Sequence, residues 1–430
     1  MKNKKKGNKK MGLKVLCIIF VAIVVFAVAS TIANKQNVKK LTEYISTLDK
    51  VTIEDRLPIE KDNEGFYTIT TDRDLKVLQL TDVHIGGGWT TKKMDIRAIN
   101  AVASMVIAEK PDIVIATGDI SYPIPVQAAT FNNQYASTIF ATLMEQLGVY
   151  WTVTFGNHDA EMYSIYNREE MADFYADEKW TNCLFLKGDE NVDGFGNSVI
   201  KVKNSDGVMT QALITMDSND YPKDTLLGGL IAGPAGHYDN IHENQIEWYK
   251  NTCKNLNAEN KSFIEKTFDG DEKSQLLEKF GLVKSLLFMH IPPVEYQQAW
   301  DEFKANGYKD TENVKYHYGT LGEAVCYPAD DDLFIETALE MKSTQGMFVG
   351  HDHINGFSLE YKGIRLTYGM SIDYIAYGSL HKRGSQRGCT VITVTPDGTF
   401  DCYPENYYQD KYVNPDKEEV TMQTLNEEFN

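Results

Sequence analysis

The sequence predicts an α/β protein. Three observations carry this. Apolar, strand-like runs alternate with segments of helical period from about residue 65 onward. Five of the apolar runs end directly in His, Asp or Asn. Composition is that of an ordinary globular chain, with 430 residues, 42% hydrophobic and 24% charged, so a large core can be buried without disulfides.

Phe66–Thr71 (FYTITT) and Leu75–Leu80 (LKVLQL) read as strands separated by Asp72-Arg73-Asp74. Arg97–Ala108, Asn132–Leu147 and Ile241–Leu256 show helical spacing. Val192–Ser218 alternates apolar and polar residues around Ser205-Asp206-Gly207 and reads as a hairpin followed by a buried strand. Thr390–Tyr403 is a second hairpin candidate, turning at Pro396-Asp397-Gly398.

Charge is uneven. The formal net charge is -18, yet residues 1–40 carry ten lysines and no acid, leaving 33 basic against 61 acidic residues in the remainder. So acidic a body excludes a nucleic-acid partner, whose backbone demands basic patches. Charge that binds an anionic substrate must then come from a local source such as metal ions.

The lysine-rich start, residues 1–14, precedes an uncharged apolar run over residues 15–33. A basic segment before about 19 apolar residues reads as a signal anchor or a secretory signal peptide. Ala27-Val28-Ala29 resembles a cleavage site. Either outcome puts the rest of the chain outside the cytoplasm, membrane-anchored or secreted, because the lysines stay inside. Residues 34–64 read as a polar stalk with a short helix at Val38–Leu48, 65–413 as the catalytic domain, and 414–430 as an acidic tail.

Cys183, Cys253, Cys326, Cys389 and Cys402 follow no zinc or redox spacing and read as buried small hydrophobes, with a Cys389–Cys402 bridge as the alternative.

The five ligand-bearing strand ends are Asp82-Val83-His84, Gly118-Asp119, Gly156-Asn157-His158-Asp159, His290, and Gly350-His351-Asp352-His353. In open α/β sheets, sites gather at the carboxyl ends of strands, so five such ends converge on one place. Imidazole and carboxylate donors suit divalent Zn, Mn or Fe, and the absence of cysteine from the set excludes a structural thiolate zinc site. A phosphate ester resists attack because its oxygens are anionic. Two metal ions neutralise them and lower the pKa of a bound water toward ~7.

These motifs, in this order over about residues 75–380, resemble the calcineurin-like metallophosphoesterases. His290–Tyr296, Phe348–Asn355 and Gly363–Gly369 look closest to the single-domain branch related to purple acid phosphatases. The resemblance implies a four-layer α/β/β/α sandwich with a dinuclear centre. Asp82, His84 and His353 would hold one ion, Asn157, His290 and His351 the other, and Asp119 would bridge. His158 would serve the leaving-group oxygen, with Asp159 orienting its imidazole. Attack by a dimetal-bound hydroxide would be in line, without a covalent intermediate. Gly118-Asp119-Ile120-Ser121-Tyr122 also matches the motif whose tyrosine binds ferric iron in purple acid phosphatases, although there the first motif lacks a histidine. His84 is read as the ligand here and Tyr122 as its neighbour. Tyr122 as a true ligand would make the protein iron-dependent.

The expected activity is hydrolysis of a small phosphate ester, a monoester first. A phosphodiester or nucleotide is the second reading, and a catalytically weak cell-surface binding protein the third. Gly86-Gly87-Gly88 is read as permitting close backbone approach. His237 and His242 read as surface residues or as lining the pocket mouth, His317 and His381 as structural or exposed. Loops 121–135, 219–245 and 297–330 would set specificity. Oligomeric state is open.

Overall fold

In the computed structural model, residues 2–222, 238–328, 332–380 and 387–420 are described, with side chains from Leu16 onward. Their strands are β1 (Ile59–Lys61), β2 (Tyr67–Thr70), β3 (Leu75–Leu80), β4 (Ile113–Thr117), β5 (Tyr150–Thr154), β6 (Ser198–Lys203), β7 (Met209–Thr215), β8 (Ser285–Phe288), β9 (Val314–Thr320), β10 (Thr344–Val349), β11 (Gly356–Tyr361), β12 (Ile364–Tyr368), β13 (Gly388–Val394) and β14 (Phe400–Asn406). The helices are α1 (Lys2–Ile45), α2 (Lys92–Glu109), α3 (Pro125–Ala128), α4 (Asn133–Leu147), α5 (Arg168–Tyr175), α6 (Glu243–Thr267), α7 (Gly270–Phe280), α8 (Glu295–Ala305) and α9 (Phe334–Met341).

Two sheets form. One has the order β1-β2-β6-β7-β8-β10-β12-β11-β9, the other β14-β13-β3-β4-β5. Both predicted hairpins occur, as β6–β7 and β13–β14. Three apolar clusters define the layers. Leu75, Val77, Ile113, Ile115, Leu286, Phe288 and Phe348 meet between the sheets. Alternate residues of β3, β4 and β5, such as Leu78, Val114 and Trp151, pack outward against α1, α2 and α4. Leu287, Met347 and Leu366 pack outward against α6, α8 and α9. The period-2 alternation of each strand thus feeds a different layer from each face, which is the α/β/β/α sandwich.

Strands β3, β4 and β5 run parallel, as do β7, β8, β10 and β12. The carboxyl ends of the two sets are stitched together. Gln79 Nε2 donates to the Val349 carbonyl (3.0 Å), and Thr81 bridges to Ser371.

The stalk expectation is corrected. Helix α1 runs unbroken to Ile45, and Leu41 and Ile45 are fully buried in the cluster that contains α2 and α4. Ser30, Asn34 and Asn37 are buried on the same face. The 3–4 spacing of these five residues makes one docking stripe, and its polar members form hydrogen bonds instead of facing water. Leu41→Ala is expected to lower unfolding stability by ~2–5 kcal/mol, read from urea denaturation of the detergent-solubilised chain.

The acidic tail is also partly structured. Glu418 accepts from Arg387 (2.9 Å), Arg97 (3.1 Å) and Tyr408 (2.9 Å), while residues 421–430 lie outside the described residues. All six cysteines are free. Cys389 pairs with Glu405 and Cys402 with Ile392 across the hairpin, so the two thiols sit at different registers and the bridge does not form.

Candidate metal centre

Each parallel strand end delivers its residues to the seam between the sheets. Asp82 and His84 follow β3, Asp119 follows β4, Asn157 and His158 follow β5, His290 follows β8, and His351 and His353 follow β10. Three overlapping groups result, each with one candidate ligand atom per residue within 4.8 Å of the others: Asp82–His84–His353, His84–Asp119–His158, and Asp119–His290–His351.

Asp119 joins the groups. Its Oδ2 lies 3.3 Å from His84 Nε2 and 3.2 Å from His290 Nε2, so one carboxylate oxygen touches one imidazole of each expected ion set. Four of the expected ligands, Asp82 (φ 49°), His84 (φ 49°), Asp119 (φ 51°) and His351 (φ 79°), hold left-handed backbone. For side-chain-bearing residues this costs about 1–3 kcal/mol each and concentrates at functional sites. Gly156 makes room for the cluster: a Cβ there would stand 2.1 Å from Asp119 Oδ1.

The donors fit a pair of divalent cations. Asn157 Oδ1 and His351 Nε2 are both buried without a hydrogen-bond partner among the described residues. Buried polar atoms are normally satisfied, and these two belong to a single expected ion set. Burial alone would lower the pKa of His84, yet the carboxylates of Asp373 and Asp119 push it up to about 10. His290 rises to about 9, again against burial, through Asp119. Asp119 itself, although buried, is held well below the usual carboxylate range by His290 and His158. Imidazole protons offset the carboxylate charge of the cluster, and cations binding there would displace them.

One expected role changes hands. Asp159 does not reach the His158 ring. Its Oδ2 accepts from the Asp119 N–H (2.9 Å) and the Gly156 N–H (2.8 Å), and its Oδ1 from the Ser121 N–H (2.9 Å). Asp159 therefore locks the β4 and β5 turns against each other. Glu161 takes the imidazole instead, with Oε1 2.7 Å from His158 Nδ1. An ionised carboxylate only accepts, so Nδ1 carries a proton, and Nε2 is the nitrogen left to face a substrate. Tyr122 lies beside the cluster. Its ring stacks on His84 at 4.6 Å and meets His158 edge-on at 4.9 Å, and burial raises its phenol further from ionisation.

Asp373 escaped the sequence reading. It follows β12 by five residues, so a sixth strand end contributes to the site. Its Oδ1 lies 3.3 Å from His84 Nδ1 and its Oδ2 3.1 Å from His353 Nδ1. It also accepts from the N–H groups of Ile375 (2.7 Å), Ala376 (2.9 Å) and Tyr377. A carboxylate behind a ligating imidazole fixes the ring and raises its basicity. Asp373→Ala is expected to weaken metal affinity by ~10–100-fold, measured by metal titration with circular dichroism confirming the fold.

Tyrosines line the mouth. Asn157 Nδ2 donates to Tyr221 Oη (3.1 Å), Tyr221 stacks on Tyr238, and Tyr238 stands edge-on to His351 at 4.5 Å. Tyr377 lies 4.6 Å from the His353 ring. Cys326 also comes within reach of His351 and Asp352, but burial raises its thiol and disfavours the thiolate. Gly88 does permit close approach, though to loop 123–132 and not to the ligands: a Cβ there would fall 1.5 Å from the Ala128 carbonyl. His242 caps α6 at the surface between Asp193 and Asp239. His237, His381 and residues 223–237 and 329–331 of the expected specificity loops lie outside the described residues.

A two-sheet sandwich with an Asp/His/Asn cluster at its carboxyl edge defines a metallophosphoesterase architecture. The sequence profile of the calcineurin-like phosphoesterases matches residues 75–378, and the chain belongs to that family. Among curated relatives it is 26% identical over 343 residues to "Probable inactive purple acid phosphatase 29" of Arabidopsis thaliana, covering 75% of this chain and 77% of that protein. It is 26% identical over 331 residues to "Probable inactive purple acid phosphatase 14" of the same plant, covering 72% and 73%. Among solved structures, a dimetal phosphatase from Danio rerio aligns over 78% of this chain and 100% of its own, at 10% identity and a TM-score of 0.43.

Proposed function

We propose that this chain is a metal-dependent hydrolase of phosphate esters, acting outside the cytoplasm and anchored by α1. The observation that carries the reading is Asp119 Oδ2, shared between His84 and His290 at 3.3 and 3.2 Å. A dinuclear centre requires such a shared oxygen.

Asp82, His84 and His353 would hold one ion and Asn157, His290 and His351 the other, with Asp119 between them. Oxygen and nitrogen donors suit Mn, Fe or Zn. Two bound ions supply neutralisation of the phosphoryl oxygens and a water acidic enough to attack near pH 7. The residues of the chain supply position and protons. Asp373 orients His84 and His353, and Asp159 fixes the turns that carry Asp119 and Asn157. His158, held through Nδ1 by Glu161 and protonated on both ring nitrogens, would donate the Nε2 proton to the leaving alkoxide as the P–O bond breaks.

A phosphomonoester is the leading substrate. Nitrophenyl phosphate monoester and diester, each assayed with and without Mn, separate this reading from a diesterase. The plant relatives are named as probably inactive. Six of the seven expected ligands, all but Asn157, fall in groups close enough to hold a cation, which supports turnover. Binding of metal without hydrolysis of monoester, diester, nucleotides or phospholipids would instead support a binding protein.

A further inference from the structure

Helix α1 does two jobs with one rod. Its Leu16–Ile45 stretch is long and apolar enough to cross a membrane. Yet Ser30, still inside the uncharged run that ends at Ala33, already touches the catalytic domain. Ser30 Oγ donates to the Ala129 carbonyl (3.0 Å), and Asn34 Nδ2 donates to the same oxygen (2.9 Å). Asn37 Nδ2 donates to the Gly88 carbonyl (2.8 Å). Trp89 returns two bonds, its N–H to Asn34 Oδ1 (2.9 Å) and its indole Nε1 to Ser30 Oγ (3.2 Å). The helix is therefore tied to the loop that follows His84 and to the loop that follows Asp119. No spacer separates the apolar run from these loops, so they sit at the depth where the hydrocarbon ends.

Their surface matches that depth. Val126 is 94% exposed, Phe131 52% and Trp89 46%. The patch continues across a backbone bond from Ile165 N–H to the Phe131 carbonyl (2.8 Å), where Met162 is 63% and Ile165 59% exposed. Met162 adjoins Glu161, which holds His158. Exposed apolar side chains thus extend from the helix exit to the segment that carries the leaving-group histidine. Contiguous exposed apolar surface marks an interaction site. Trp89 is followed by exposed Lys92 and Lys93, the residue types that favour a membrane–water interface beside anionic headgroups.

Charge points the same way. The body repels soluble anions at long range, with 61 acidic against 33 basic residues beyond position 40. A substrate held in the same bilayer arrives by lateral diffusion and apolar contact, with no need of steering.

We propose that the loops bearing Trp89, Val126, Phe131, Met162 and Ile165 rest in the bilayer interface, and that the site takes a phosphate monoester carried by a membrane lipid. This rests on the hydrolase reading above. In the step, water oxygen bonds to phosphorus and the P–O bond to the lipid alcohol breaks. The alcohol oxygen takes the Nε2 proton of His158, the proton shed by the attacking water passes to solvent, solvent reprotonates His158, and inorganic phosphate leaves to water.

The test uses the full chain in phosphatidylcholine vesicles with Mn, assayed on dioleoyl phosphatidic acid in the bilayer and on soluble nitrophenyl phosphate. Wild type is expected to hydrolyse both. The triple variant Val126→Asp, Phe131→Asp, Ile165→Asp is expected to lose bilayer turnover by about tenfold or more while keeping soluble turnover. Equal bilayer turnover in the variant, or wild type active on the soluble ester alone, overturns the lipid assignment. Hydrolysis of neither ester overturns the hydrolase reading itself. Seating of the loops is read separately, without catalysis, by brominated-lipid quenching of tryptophan fluorescence. The quenching is expected in wild type and reduced in Trp89→Phe; equal quenching in both overturns the membrane contact.

Discussion

Asp119→Ala is expected to lose both metal ions and, with them, at least ~10³-fold in turnover. Two divalent ions a few Å apart repel strongly, and only an anion shared between them offsets that repulsion. Asp119 Oδ2 lies against an imidazole of each set. Its other oxygen accepts the His158 N–H at 2.8 Å, so the same side chain positions the proton donor. Because Asp119 holds φ 51°, which alanine tolerates poorly, part of the effect of Asp119→Ala is backbone strain. Asp119→Asn keeps the shape and the left-handed tolerance but removes the charge. It is expected to fold and still to bind fewer than two ions, as counted by elemental analysis. Full activity in either variant contradicts the assignment.

His158→Ala is expected to keep both metals and lower turnover by ~10²–10⁴-fold, least for leaving groups as good as nitrophenolate. Metal should stay because His158 belongs to neither expected ion set. The contact it makes with Asp119 is through its backbone N–H, which alanine retains. The loss should grow as the leaving alcohol becomes more basic, since that alcohol most needs a proton. A flat dependence on leaving-group basicity would remove His158 from the proton-transfer role. Glu161 acts only through the His158 ring, so Glu161→Gln is expected to fall short of the His158→Ala loss while showing the same leaving-group trend.

The ligand cluster was legible because strand periodicity and strand-end chemistry are both local. Leu75–Leu80 and Ile113–Thr117 declare themselves as buried strands, and the Asp and His residues follow within four positions. Glu161 was less legible, since the family resemblance gave the orienting role to Asp159. The turn after β5 instead aims Asp159 at three backbone N–H groups and leaves the ring to the residue two positions further on. Asp373 carries no motif of its own. Its role exists only because β12 lies beside β10, which brings its carboxylate behind His353 and, across the seam, His84.

The α1 extension shows a different limit. Polar Asn34 and Asn37 suggested a stalk, but their spacing with Ser30, Leu41 and Ile45 is that of a docking face. Which of the two holds depends on partner carbonyls at Gly88 and Ala129, more than 50 residues away in sequence.

The central claim is that a two-ion site hydrolyses phosphate esters. Turnover of nitrophenyl phosphate by the full chain, followed through chelation and Mn re-addition with ions counted per chain, tests it most directly. The expected result is loss of turnover on chelation and its return as two ions rebind. Two ions bound per chain with no hydrolysis of monoester, diester, nucleotide or lipid phosphate would contradict it.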